Sequence, residues 1–253
     1  MESKTKMSLP LNKDTRLDHL VSVNTDLVDT TIDWKRYVDG IYCINYLPYK
    51  ERRKECEKEL AAMDILHSPI FQFHWTYHNR YDAIILEHMN PPYKDFHNDR
   101  KELVTNLTMA YYQILREAQE RDQSSILTIE DDIRFVCNKW TMKNTLDRLP
   151  SGWDYIQFDK LLNNSEKHRL VNLATDGYYI FNYQGGYWGT VFTMWSRKAI
   201  DYTVALLENQ LWPIDYAVVN RDDDTLNQLK RYTTVQSLVH QDGQDIRYRA
   251  ILF

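Results

Sequence analysis

The chain has 253 residues, room for one large domain or two small ones and for a sizeable core. Its 31 Lys plus Arg against 36 Asp plus Glu leave a formal charge of −5, so no global basic excess exists to hold a nucleic-acid backbone. With 43% hydrophobic and 13% aromatic residues, the chain can bury enough surface to offset ordering entropy, which excludes disorder. The three cysteines, Cys43, Cys56 and Cys137, form no C-x-x-C pair and no even set, and read as reduced, buried thiols. No apolar run approaches the ~18 residues of a membrane helix and no secretory signal opens the chain. A soluble, cytoplasmic protein is expected, with peripheral attachment to a membrane still compatible. Asn106-Leu107-Thr108 and Asn163-Asn164-Ser165 match the glycosylation pattern, by chance in a chain without a signal.

Residues 1–39 are polar, contain Pro10 and alternate only weakly; an arm of little regular structure is expected, with a single domain from 40 to 253. Ile41 to Leu47 is a β-branched and aromatic run stopped by Pro48, a strand signal. Lys50 to Ile65 follows helix periodicity, with Cys56, Leu60 and Met63 on one face. A strand is expected at Ile70 to Trp75, and a turn at Asn90-Pro91-Pro92. Leu103, Leu107, Ala110, Tyr111, Ile114, Leu115 and Ala118 mark a helix over Lys101 to Glu120. It runs into the apolar strand Ser125 to Ile129. Further on, the pattern predicts a short helix ending near Leu149-Pro150 and strands at Trp153 to Phe158, Tyr178 to Tyr183 and Thr190 to Trp195. A helix from Ser196 to Gln210, N-capped by Ser196, comes next, and one extended segment runs from Thr233 to His240. Helix-then-strand repetition favours a parallel-rich α/β sheet.

Glu130-Asp131-Asp132 follows directly on the strand at 125–129. Adjacent carboxylates at a strand's C-terminal end repel one another, and in open α/β sheets that edge is where ligands sit. A divalent cation relieves the repulsion. An oxygen-only ligand set suits Mg²⁺ or Mn²⁺, whose shell substrate phosphates and water complete. An acidic loop or a helix cap explains the triplet equally well on position alone. The second triplet, Asp222-Asp223-Asp224, precedes Thr225 to Leu229 and reads as the acidic first turn of a helix.

Only seven glycines occur, where average usage would give about eighteen, yet Gly185, Gly186 and Gly189 fall together. That concentration implies unusual backbone angles or close approach to a ligand, or a tight turn between strands. Tyr187 and Trp188 between them offer flat faces to sugar rings. Asp215, after Pro213, is placed to act as a general base or to cap the segment that follows. His240 closes the last strand-like run ahead of Gln241-Asp242-Gly243, a candidate third metal ligand or phosphate partner, or an ordinary surface histidine.

Together these segments resemble glycosyltransferase family 25, the group of lipooligosaccharide transferases and procollagen galactosyltransferases. The family's opening I-N-L strand and Arg pair are matched by Ile44-Asn45 and Arg52-Arg53, with Tyr46 in the leucine's place. Its apolar strand and E-D-D are matched by Ile126 to Asp132, its glycine and aromatic segment by Gly185 to Ala199, and its P-x-D element by Pro213-Ile214-Asp215. The family's G-C-x-x-S-H on the central helix is absent; Thr105-Asn106-Leu107-Thr108 stands nearby. The resemblance implies a GT-A-type nucleotide-diphospho-sugar transferase fold, a mixed, mostly parallel sheet flanked by helices. It implies metal-dependent, inverting transfer of a hexose, galactose foremost, from a UDP-sugar to a glycan, glycolipid or glycoprotein acceptor. Asn45, Arg52, Glu130, Gly185 and Gly186 would then line the nucleotide. Asp131 and Asp132, with His240 as a third candidate, would hold Mn²⁺ or Mg²⁺. Asp215 would take the acceptor's proton, with Asp159 in reserve. Two other classes fit the same residues: a metal-dependent phosphoryl hydrolase or nuclease, and a non-catalytic carbohydrate-binding module.

Overall fold

The computed structural model describes residues 30–46, 49–76, 98–158, 173–175, 178–180, 190–209, 212–215, 217–218, 228–234 and 237–241. Strands β1 (Gly40–Tyr46), β2 (Phe71–Thr76) and β3 (Ser125–Glu130) form one side of an eight-stranded sheet. Strands β5 (Tyr155–Gln157), β6 (Leu173–Thr175), β7 (Tyr178–Ile180), β8 (Phe192–Ser196) and β9 (Arg231–Thr234) complete it in the order β2-β1-β3-β8-β5-β9-β7-β6. β1 pairs in parallel with both β2 and β3, and β5 with β9; β8 runs against β3 and β5, and β7 against β9 and β6. All strands but β7 and β8 therefore point one way. Helices α1 (Lys50–Ala62) and α3 (Lys139–Leu146) cover one face, α2 (Asn98–Glu120) and α4 (Arg197–Asn209) the other. This is the mixed, mostly parallel, helix-flanked sheet expected.

Side chains along a strand alternate between faces, and both faces here are buried. Tyr42 and Ile44 of β1 join Ile126, Trp195 and the α2 residues Ala110, Tyr111, Ile114, Leu115 and Ala118 in one core. Ile41 and Cys43 join Leu127, Ile129, Phe192 and Met194 with Cys56 and Leu60 of α1 in the other. Cys43 and Cys56 are free thiols with their sulfurs 3.7 Å apart in that second core, whereas Cys137 is partly exposed.

Several expectations shift. The fold begins before residue 40: a 3-10 turn at Trp34–Arg36 carries Trp34, 1% exposed, into the α1 core, where its indole N–H donates to Met63 O at 2.8 Å. The described elements belong to one compact unit, Thr31–Phe253. The segment 233–240 is not one strand. β9 pairs with β5 and β7 in the main sheet, while β10 (Val239–Gln241) pairs with β4 (Ile133–Phe135) in a separate two-stranded ribbon. β4 and β6, three residues each, are too short to leave a periodic signal. Ser196 does cap α4, its Oγ accepting from Ala199 N at 3.3 Å. Asn106 is 5% exposed in α2, which rules it out as a glycan acceptor on the folded chain.

The chain order places the site. From β1 the chain crosses by α1 to β2 on one flank, then returns by α2 to β3 on the other flank of β1. The two crossing helices lie on opposite faces. Such a reversal opens a crevice outside the carboxyl ends of the strands on either side of it, and here those ends are Asn45-Tyr46 and Glu130-Asp131-Asp132.

Candidate active site

The alternation of β3 sends its acidic neighbours apart. Ile126 faces the α2 core, Leu127 and Ile129 the α1 core, so Glu130 continues the first face and Asp131 the second. Asp131 is almost fully enclosed, its side chain 7% exposed. Its Oδ2 accepts from Asn45 Nδ2 at 2.9 Å and from Tyr46 N at 2.8 Å; its Oδ1 accepts from Arg52 Nη1 at 3.1 Å. The Arg52 guanidinium stacks over the Tyr49 ring, 5.0 Å from its centroid. Burial pushes the Asp131 carboxyl up from its ordinary value, and Arg52 pulls it back. With three donors on two oxygens, the anion is the form that the surroundings accommodate.

Asp132 differs. Its Oδ2 accepts from Gln241 Nε2 at 2.9 Å, but its Oδ1 is buried with no hydrogen-bond partner. Burial raises this carboxyl, while Gln241 and Arg52 lower it. An orphaned anionic oxygen inside a protein is costly; a divalent cation bound there would satisfy it.

Glu130 turns inward. Its Oε1 lies 3.0 Å from Tyr111 Oη and 2.7 Å from Thr190 Oγ1. Tyr111 Oη is also 2.7 Å from Thr190 O, and Thr190 Oγ1 3.1 Å from Asp215 Oδ1. Two hydroxyl protons cannot serve four such contacts. Burial, with the charges of Asp132 and Asp215, holds the Glu130 carboxyl well above the usual range, while the Thr190 and Tyr111 hydroxyls lower it. Asp215 is fixed from behind as well, because Ile214 N donates to Thr108 Oγ1 at 3.2 Å.

Of the residues expected from the sequence, Asn45, Arg52, Asp131 and Asp132 gather at the crevice, and Asp215 joins Glu130 through Thr190. The geometry adds detail to three of them. Asp131 already accepts two hydrogen bonds on Oδ2 and one on Oδ1. Glu130 is a buried member of the Tyr111–Thr190 cluster, because its side chain continues the α2 face of β3. The residue that reaches Asp132 from β10 is Gln241; His240, next to it, belongs to the other face of the ribbon. Among the described residues no three His, Cys, Asp or Glu side chains form a cation cage, so a cation at Asp132 would need substrate oxygens and water to complete its shell. Asp159, Gly185 and Gly186 lie outside the described residues, as do Tyr187, Trp188 and Asp222 to Asp224. Tyr111, Thr190 and Gln241 escaped the sequence reading: Tyr111 looked like one more apolar helix position, and nothing local marks the other two.

No family model and no curated protein sequence matches the chain. Among solved structures, it is similar to a glycosyltransferase involved in the glycosylation of the major capsid of PBCV-1, at 10% identity over 66% of each chain with a TM-score of 0.34. It is likewise similar to mouse xyloside xylosyltransferase 1, at 10% identity over 69% of this chain and 71% of that one, with a TM-score of 0.36. Among the described residues no helix is long and apolar enough to cross a membrane.

Proposed function

We propose that the protein is a metal-assisted glycosyltransferase that moves a hexose, galactose foremost, from a UDP-sugar to a glycan, glycolipid or glycoprotein acceptor. The observation that carries this reading is the convergence of Asn45, Arg52, Asp131 and Asp132 on the crevice where β1 and β3 end. The family 25 resemblance of those segments supports it. Asp132, through Oδ1, is the residue that fits a Mn²⁺ or Mg²⁺ ion. The bound cation supplies a Lewis acid for the charge that develops on the leaving diphosphate. Arg52 presents a planar guanidinium suited to phosphate oxygens, and its stacking on Tyr49 steadies that plane. Asp215 accepts the acceptor hydroxyl's proton, its carboxylate oriented by the Thr190 hydroxyl.

A panel of nucleotide sugars incubated with and without Mn²⁺ tests the assignment. Release of UDP from one donor, dependent on Mn²⁺ and lost in Asp132→Asn, is expected. Cleavage of a phosphodiester with no sugar released would favour the hydrolase class, and glycan binding indifferent to EDTA and to Asp132→Asn would favour the binding module.

A further inference from the structure

We infer that Asp131 is a positioning residue for Arg52 and the end of β1, acting on the nucleotide independently of the cation, and that Asp132 is the carboxylate through which the cation acts. The inference rests on the transferase reading for the identity of the nucleotide, but its geometric half does not. A carboxylate that ligates a dication needs a lone pair free to face it. Of the roughly four lone-pair positions on the two oxygens of Asp131, Arg52, Asn45 and the Tyr46 amide take three, leaving one on Oδ1 beside the guanidinium. A dication at that position would share the anion with the guanidinium 3.1 Å from it, placing like charges side by side.

The three donors come from the strand β1 and the helix α1, so Asp131 ties together the two segments that meet at the crevice. Arg52 is held from below by this bond and from one side by Tyr49, yet its side chain remains 38% exposed. Tyr49, Lys50, Glu51 and Arg52 also line a hollow at the first turn of α1. Held in this way, the guanidinium is ready for an anionic ligand before any ligand arrives, and ordering it costs nothing at the moment of binding. Asp132, one residue on, has the opposite arrangement, with one oxygen held by Gln241 and the other orphaned. Neighbouring acids that look equivalent in sequence thus serve separable purposes.

Calorimetric titration with UDP, in EDTA and again in Mn²⁺, separates the two. Asp131→Asn should weaken UDP binding about tenfold, in line with the loss of a charge-assisted hydrogen bond, and by the same factor in both media. Asp132→Asn should abolish the gain that Mn²⁺ confers, with a smaller effect in EDTA than that of Asp131→Asn. An Asp131→Asn protein that keeps its affinity in EDTA but loses the Mn²⁺ gain overturns the inference. A double-mutant cycle of Asp131→Asn and Arg52→Gln, read as urea midpoints, tests the bracket without any nucleotide. Non-additive midpoints are expected, and additive ones reject it. A wild-type protein that binds no UDP in either medium rejects the transferase reading, and with it the nucleotide's part here, while the bracket is still decided by the cycle.

Discussion

Burial governs the three acids at the end of β3, and it sets the sign expected of the protein's pH dependence. Glu130 is held well above the usual carboxylate range by burial first and by Asp132 and Asp215 next; Asp131 and Asp132 are raised mainly by burial. The largest rise is that of Glu130, and in the unfolded chain carboxyls ionise near pH 4. From there up to their folded values, the unfolded state releases protons that the fold retains, so stability falls as pH rises. Urea midpoints measured from pH 5 to pH 8 should therefore decline, and Glu130→Gln should flatten the decline; an unchanged slope would show that Glu130 carries no proton in the fold. The Thr190 hydroxyl between Glu130 and Asp215 is a second sensitive atom. Thr190→Val removes a hydroxyl partner from the buried Glu130 and from the partly buried Asp215 and should cost about 1–3 kcal/mol in chemical denaturation, while Thr190→Ser should cost much less. Equal losses would point to the missing methyl instead of the hydroxyl.

At the scale of elements, the chain is tied at helix ends as much as along strands. Asp64 follows the last turn of α1 in a left-handed conformation, φ 58°, which few residues other than Gly, Asn and Asp adopt readily. Its Oδ2 accepts from Ile32 N at 2.9 Å and its Oδ1 from Lys139 Nζ at 2.7 Å, joining the segment before the 3-10 turn, α1 and α3. Asp64→Ala removes both acceptors and strains the backbone, an expected loss of about 2–3 kcal/mol by urea unfolding. Asp64→Asn keeps the conformation and one acceptor, and should lose about half as much. If both variants lose the same amount, the Lys139 pair carries the effect. The ribbon of β4 and β10 is a connection of another kind, since it brings Gln241 to Asp132 across 109 positions of sequence.

For the molecule as a whole, the division of the sheet into two buried faces is what turns a run of acids into a site. Each face has its own core, and the segment ahead of β1 contributes to one of them through Ile32, Trp34 and Val38. Trp34 meets Phe192 edge to face at 6.1 Å between centroids, so a residue outside the sheet braces β8 at its first residue. Trp34→Ala should lower stability by about 3–5 kcal/mol, measured as the urea midpoint with the full chain. A midpoint equal to wild type would mean that the segment before β1 is not part of the cooperative unit.

Much of this was legible from periodicity. The helix over Lys101 to Glu120, the apolar strand ahead of Glu130 and the cap at Ser196 depend on short-range spacing and side-chain chemistry, which a linear pattern records directly. The site's membership was legible only in part. Asp131 and Asp132 stand out because a run of carboxylates closes an apolar strand, and Asn45 and Arg52 only through the family resemblance, whereas Gln241, Thr190 and Tyr111 became relevant only once distant segments were brought into contact. Composition and patterning by themselves determined the alternation of helix and strand and the acidic strand end. Only the tertiary structure decided which acid is sequestered by donors, which keeps an orphaned oxygen and which is drawn into the interior, because those outcomes depend on the face each side chain takes and on what the opposite layer brings to meet it.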